Sequence, residues 1–169
     1  MSAILVAGIG NIFNGDDAFG VEVAQRLMRR SQPTGVKVVD FGIRGIDLTY
    51  ALLEGYDAVI LVDAAARGHS PGTVSVVQPT APTASQLQPE DLIVSAHDLD
   101  PAKVLQMVAA LGGGCRRVVL VACEPRHLGG TDGAMGLSPL VEMAIEPAIA
   151  TVEQLLAEFL TGASLGEAA

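Results

Sequence analysis

The sequence predicts an α/β protein: a three-layer α/β/α sandwich around a mostly parallel sheet of about five strands, one of them antiparallel. Three observations lead there. Short apolar runs alternate with segments of helical periodicity along nearly the whole chain of 169 residues, the trace that strand–helix–strand units leave in a sequence. Half the residues are hydrophobic but only 4% are aromatic, which suits helices packed on a sheet better than disorder or an all-β fold. Finally, the run "GTVSVVQP" follows its predecessor too closely for a crossover helix, so it is expected to lie antiparallel to its neighbour.

The first strand is "AILVAGI", residues 3–9, short and wholly apolar as a strand covered on both faces must be. Residues 17–30 form a helix with Val21, Val23, Ala24 and Leu27 turned inward. A second strand covers 36–42 and a shorter helix 46–55. The run "DAVILVDAA", 57–65, is nearly all β-branched or leucine and is therefore placed centrally. The antiparallel strand occupies 72–79. A long Pro/Thr/Ser/Gln-rich loop follows over 79–95, a length that in compact domains often goes with function. Residues 100–113 read as a helix with proline in its first turn and glycines at its end, and 116–125 as the last strand. The final helix starts with Ser138 as N-cap and Pro139 in the first position and runs to about Leu160. Its inward face is Val141, Ala144, Ile145, Ala148, Val152, Leu155 and Phe159. Pro147 is expected to kink it, because its ring removes one backbone N–H. The whole reads as one domain over 1–162 with a frayed tail over 163–169.

Charge and cysteines narrow the function. A net charge of −9 argues against nucleic acid, whose phosphates it would repel. The N-terminus has no basic lead and no long apolar core, so no signal peptide is expected. No apolar run approaches the roughly 20 residues that span a bilayer. Cys115 and Cys123 flank a strand-like run; if it is extended they stand about 26 Å apart at roughly 3.3 Å per residue. A disulfide needs Cα atoms within about 7 Å. These features predict a reduced, cytoplasmic protein, and its size a monomer.

In an open parallel sheet, ligands sit beyond the carboxyl ends of the strands. The polar residues expected there are Asn11, Asp16 and Asp17 after the first strand, and Asp40 then Arg44 after the second. Asp63 ends the third, His97 and Asp98 end the long loop in "SAHDLD", and Glu124 ends the last. Asp17, Asp63 and His97 can converge on one rim, and two carboxylates with an imidazole suit a borderline divalent cation such as nickel or zinc. Structural readings stand beside these. Asp16 or Asp17 can complement a helix dipole, Asp63 can cap the next turn, and His97 can be an ordinary loop histidine. Arg44 lies between Gly42 and Gly45, which would let a substrate backbone approach. His69 and His127 read as surface residues, and the cysteines as small buried hydrophobes.

Other chemistries find less support. Gly8 and Gly10 open like a phosphate-cradling turn, but Phe13 stands where a third glycine belongs. Asp40 occupies the place of a ribose-binding acid, which keeps a nucleotide- or cofactor-binding module as the alternative. No Walker loop, nucleophile elbow, H-E-x-x-H helix or C-x-x-C pair occurs.

Five segments in order, "GIGNIFNGDDAFGVEVAQRL", "DFGIRGIDL", "ILVDAA", "SAHDLD" and "EP…LSPLVEMAI", make the chain resemble the nickel–iron hydrogenase maturation proteases over roughly residues 3–156. The resemblance implies a phosphorylase/hydrolase-like fold and an aspartyl-type or metal-dependent endopeptidase. Its job would be to remove a short C-terminal extension from the hydrogenase large-subunit precursor once nickel has entered. It makes Asp17, Asp63 and His97 the metal-contacting residues, with Asp17 preferred because the family's ligand is the second acid of the pair. The segment Gly42, Arg44 and Gly45 would recognise substrate, and Asp16 is the candidate for orienting water or substrate. The nickel would be the precursor's own, read as a recognition element, with zinc or cadmium able to take its place in a crystal. Many members carry threonine at the position of Ile43 and glycine at that of Ala18. A non-catalytic chaperone that holds the precursor is the further alternative.

Overall fold

The computed structural model describes residues 2–79, 100–128 and 135–162. Strand β1 (Ile4–Ile9) is buried at every residue, and so is β3 (Ala58–Ala64), because each is flanked by strands and covered on both faces. With β2 (Val36–Gly42), β4 (Val74–Val77) and β5 (Arg117–Cys123) they form one five-stranded sheet in the order β2-β1-β3-β5-β4. All pairings are parallel except that of β4 with β5. The predicted centrality of β3 and the antiparallel setting of β4 are both observed.

Alternation along β3 divides the core into two layers. Ala58, Ile60, Val62 and Ala64 face helix α1 (Phe19–Met28) and helix α5 (Ile145–Thr161). Val59 and Leu61 face helix α2 (Gly45–Leu53) and helix α3 (Pro101–Ala110). The three-layer sandwich follows from this period of two, which sends neighbouring side chains to opposite faces. The predicted inward residues of α1 and of the last helix are all buried.

Beyond shifts of up to three residues at element ends, two elements differ from expectation. The first helix does not begin at residue 17: a 3-10 turn over Gly15–Ala18 comes first and α1 starts at Phe19. The last helix is two helices, α4 (Pro139–Glu142) and α5, separated at Met143 and Ala144. Pro147 explains the break, since the N–H it lacks is the one that would bond to the Met143 carbonyl four residues back. The loop expected over 79–95 lies, beyond Pro79, outside the described residues, as does the tail over 163–169.

Arg26 of α1 and Arg30, just beyond its end, reach Glu142, Glu146 and Glu153 at 2.7–3.8 Å, tying the first helix to the last two. All these side chains are at least a third exposed, so water and salt screen the pairs. Arg30→Ala is expected to lower the midpoint of a urea titration only slightly, and less at high salt. Among the described residues no helix is long and apolar enough to cross a membrane.

Candidate active site

The carboxyl ends of β1 and β3 lie side by side, and the acids that follow or end them meet there. Gly10 makes the first turn possible. A Cβ at this position would stand 1.9 Å from the Asp17 carbonyl oxygen, so the chain folds back on itself only because glycine has none. The Gly10 N–H bonds to the Gly42 carbonyl at 3.0 Å. The register between β1 and β2 skips Phe41, with Gly8 opposite Asp40 and Ile9 opposite Gly42, a bulge that bends β2 where it reaches the site.

Asp17 sits half-buried in the 3-10 turn, its Oδ2 accepting from the Asn11 N–H at 3.1 Å. Asp63 is the penultimate residue of β3 and is buried. Its carboxyl is held well above the usual range, first by burial and then by the Asp17 and Asp100 carboxylates, against the pull of the Ala64 backbone N–H. The Asp63 Oδ1 has no hydrogen-bond partner among the described residues. It borders a cavity of about 440 Å³ lined also by Leu61, Asp100, Gln106 and Leu120. Two neighbouring carboxylates, one desolvated and with an unpartnered oxygen, are a donor set that a cation would satisfy.

His97 and Asp98 lie outside the described residues. Among the described residues no three His, Cys, Asp or Glu side chains gather as a metal-binding group.

Asp16, the candidate for orienting water or substrate, is bonded to the backbone of remote segments. It is 1% exposed, and its oxygens accept from the N–H groups of Arg126, His127 and Ser138 and from the Ser138 hydroxyl at 2.6–2.9 Å. Burial raises its pKa, but these bonds outweigh that and hold it below the usual carboxylate range. Ser138 does occupy the N-cap position of α4 but makes no side-chain cap bond; its hydroxyl is spent on Asp16.

Arg44 is likewise committed locally. Its guanidinium donates to the Phe41 and Asp40 carbonyls and to Asp47 at 3.3 Å, stapling the turn between β2 and α2. Its side chain remains 58% exposed and borders a cavity of about 310 Å³ with Gly42, Ile12, Phe13 and Asp40. Gly45 is buried as the first residue of α2. Asp40 accepts from the Gln25 amide at 3.1 Å.

At the end of β5, buried Glu124 accepts from the Arg67 N–H at 2.8 Å, and its carboxyl is lowered by that bond and by the backbone of His69 and Gly68, against burial. It orders the β3–β4 connection. Sequence reasoning placed Glu124 at the rim but not this role, and it passed over Asp100. The signal for Asp100 was its place before Pro101, where it caps α3 by accepting from Ala102 N–H at 2.9 Å. Both cysteines are free, with Cys123 buried and its thiol pushed up to about 11 by burial. His69 and His127 are exposed.

The family described as hydrogenase maturation protease matches residues 21–155. The hydrogenase 2 maturation protease of Escherichia coli is 33% identical over 156 residues, 91% of this chain and 88% of that one. The solution structure of an endopeptidase from Escherichia coli superposes with a TM-score of 0.74 at 31% identity, covering 92% and 93% of the two chains. The crystal structure of a NiFe hydrogenase maturation protease from Thermococcus kodakarensis superposes with a TM-score of 0.66 at 26% identity, again over 92% and 93%.

Proposed function

The chain belongs to the hydrogenase maturation protease family and is a peptidase, and from that premise we propose that Asp17, Asp63 and His97 engage the nickel of a loaded large-subunit precursor while its C-terminal extension is removed. The observation that carries the reading is Asp63, a buried carboxyl whose Oδ1 has no partner among the described residues, set beside Asp17 at the strand ends. Such an arrangement costs stability unless a cation meets it during function. A precursor without nickel would leave the buried Asp63 carboxyl beside the Asp17 carboxylate with no cation between them. A loaded one would neutralise them, so that correct metal insertion is tested before an irreversible cut. Nickel held there would also supply Lewis-acid polarisation of the scissile carbonyl or a water. Half-buried Gly42 and Ile43, exposed Arg44 and the cavity they border supply a surface for the precursor backbone. The free thiols suit a reducing compartment, in keeping with a cytoplasmic monomer.

The nucleotide-module alternative has less room. The space at Gly10 that a phosphate would need is filled by the chain's own Asp17 carbonyl, and Asp40 is bonded to Gln25.

The test is cleavage of nickel-loaded precursor by Asp17→Asn, Asp63→Asn and His97→Ala. Each should lower kcat/KM by about two to three orders of magnitude, the scale of removing one stabilising group from a reaction centre. Near-parental cleavage by all three ends the assignment.

A further inference from the structure

The first acid of the pair has no part in the reading above, yet it is the most heavily bonded side chain at the site. Asp16 gathers the backbone N–H groups of Arg126 at 2.8 Å, His127 at 2.9 Å and Ser138 at 2.6 Å, with the Ser138 hydroxyl at 2.9 Å. Its own N–H returns a bond to the His127 carbonyl at 3.1 Å. These partners lie 110 to 122 residues along the chain. The turn that carries Asp16 and Asp17 is only four residues long and its N-cap, Asn14, makes no side-chain cap bond. So short a 3-10 segment does not hold its own orientation well, and its attitude is set from outside.

We infer that Asp16 is a positioning residue: by tying the Gly15–Ala18 turn to Arg126, His127 and Ser138, it fixes the direction in which the Asp17 carboxylate points at the strand ends. The chemistry explains why an acid stands here. Among the described residues four donors converge and no acceptor does, so a carboxylate, which only accepts, satisfies all of them. Asparagine would turn an NH₂ toward backbone N–H groups and leave donors unpaired. The pair therefore divides its work, the buried acid bonding inward to the protein and the half-buried one set toward the substrate. The inference rests on the proposed role of Asp17.

The test compares Asp16→Asn, Ser138→Ala and Asp17→Asn in steady-state cleavage of nickel-loaded precursor, with rates expressed per folded molecule from circular-dichroism melts. Asp16→Asn should lower kcat about tenfold or more while KM stays within about threefold, because a displaced reacting group costs rate and not ground-state binding. Ser138→Ala, which removes one of the four donors and spares the backbone, should lower kcat by a smaller factor with KM again held. It carries the same comparison if Asp16→Asn does not fold. An unchanged kcat per folded molecule in the variants that fold overturns the inference, as does a raised KM at constant kcat. Parental cleavage by Asp17→Asn overturns the underlying reading as well, which separates the two failures.

Discussion

Asp63→Asn is expected to melt higher than its parent and to cleave its precursor about two to three orders of magnitude less efficiently. Both effects have one cause. The Asp63 carboxyl is buried, faces the Asp17 and Asp100 charges, and leaves Oδ1 without a partner among the described residues. An amide at this position carries no charge in either state, whereas the acid must give up its unfolded-state charge on burial, so the variant should be the more stable, by about 2–4 °C in melting temperature for each kcal/mol at this chain length. The sign with pH follows from the raised carboxyl. In the folded state Asp63 holds its proton at pH values where the unfolded chain, with an ordinary carboxyl near about 3.9, has released it. The stability this group contributes is therefore full below the unfolded pKa and is lost as pH rises through the folded one. Denaturant titrations should show parent and variant alike near pH 4, with the gap opening toward neutral pH. Equal stability at neutral pH would sink the argument from burial, and retained cleavage would sink the role in processing.

Gly20→Ala is expected to be among the most damaging additions of a single methyl group in the protein. A Cβ at this position would lie 2.1 Å from the Val62 carbonyl oxygen and 2.2 Å from that of Ile9. Both belong to fully buried strands, so neither can yield as a flexible side chain would. Helix α1 must lift from the sheet, and the 3-10 turn with Asp16 and Asp17 precedes it directly. The cost should reach about 3 kcal/mol or more, the upper end of overpacking, read in a urea titration. Gly114→Ala is the control: a Cβ there meets nothing within 4 Å, and stability should stay within about 0.5 kcal/mol.

The same contrast separates what was readable from what was not. The runs "AILVAGI", "VKVVDFG" and "DAVILVDAA" named their strands to within a residue, and the last helix showed its buried face residue by residue. These features are local, since burial of an element imposes its own period on the residues that form it. Even the break at Met143 was foreshadowed by Pro147. The acid pair is the opposite case. Nothing in "NGDDAFG" distinguishes a carboxylate clamped by Ser138 from its neighbour, because the donors come from more than 100 residues away.

By itself, then, the sequence determined the layered sheet, the order of its elements and the strand ends at which acids would gather, since each is written in spacing along the chain. Only the tertiary structure decided which acid is consumed by the fold, that Arg44 staples its own turn, and that Asp63 stands desolvated beside Asp17. The reason is physical. Hydrogen-bond partners and dielectric surroundings are supplied by segments remote in the chain, and these meet only once the layers have packed.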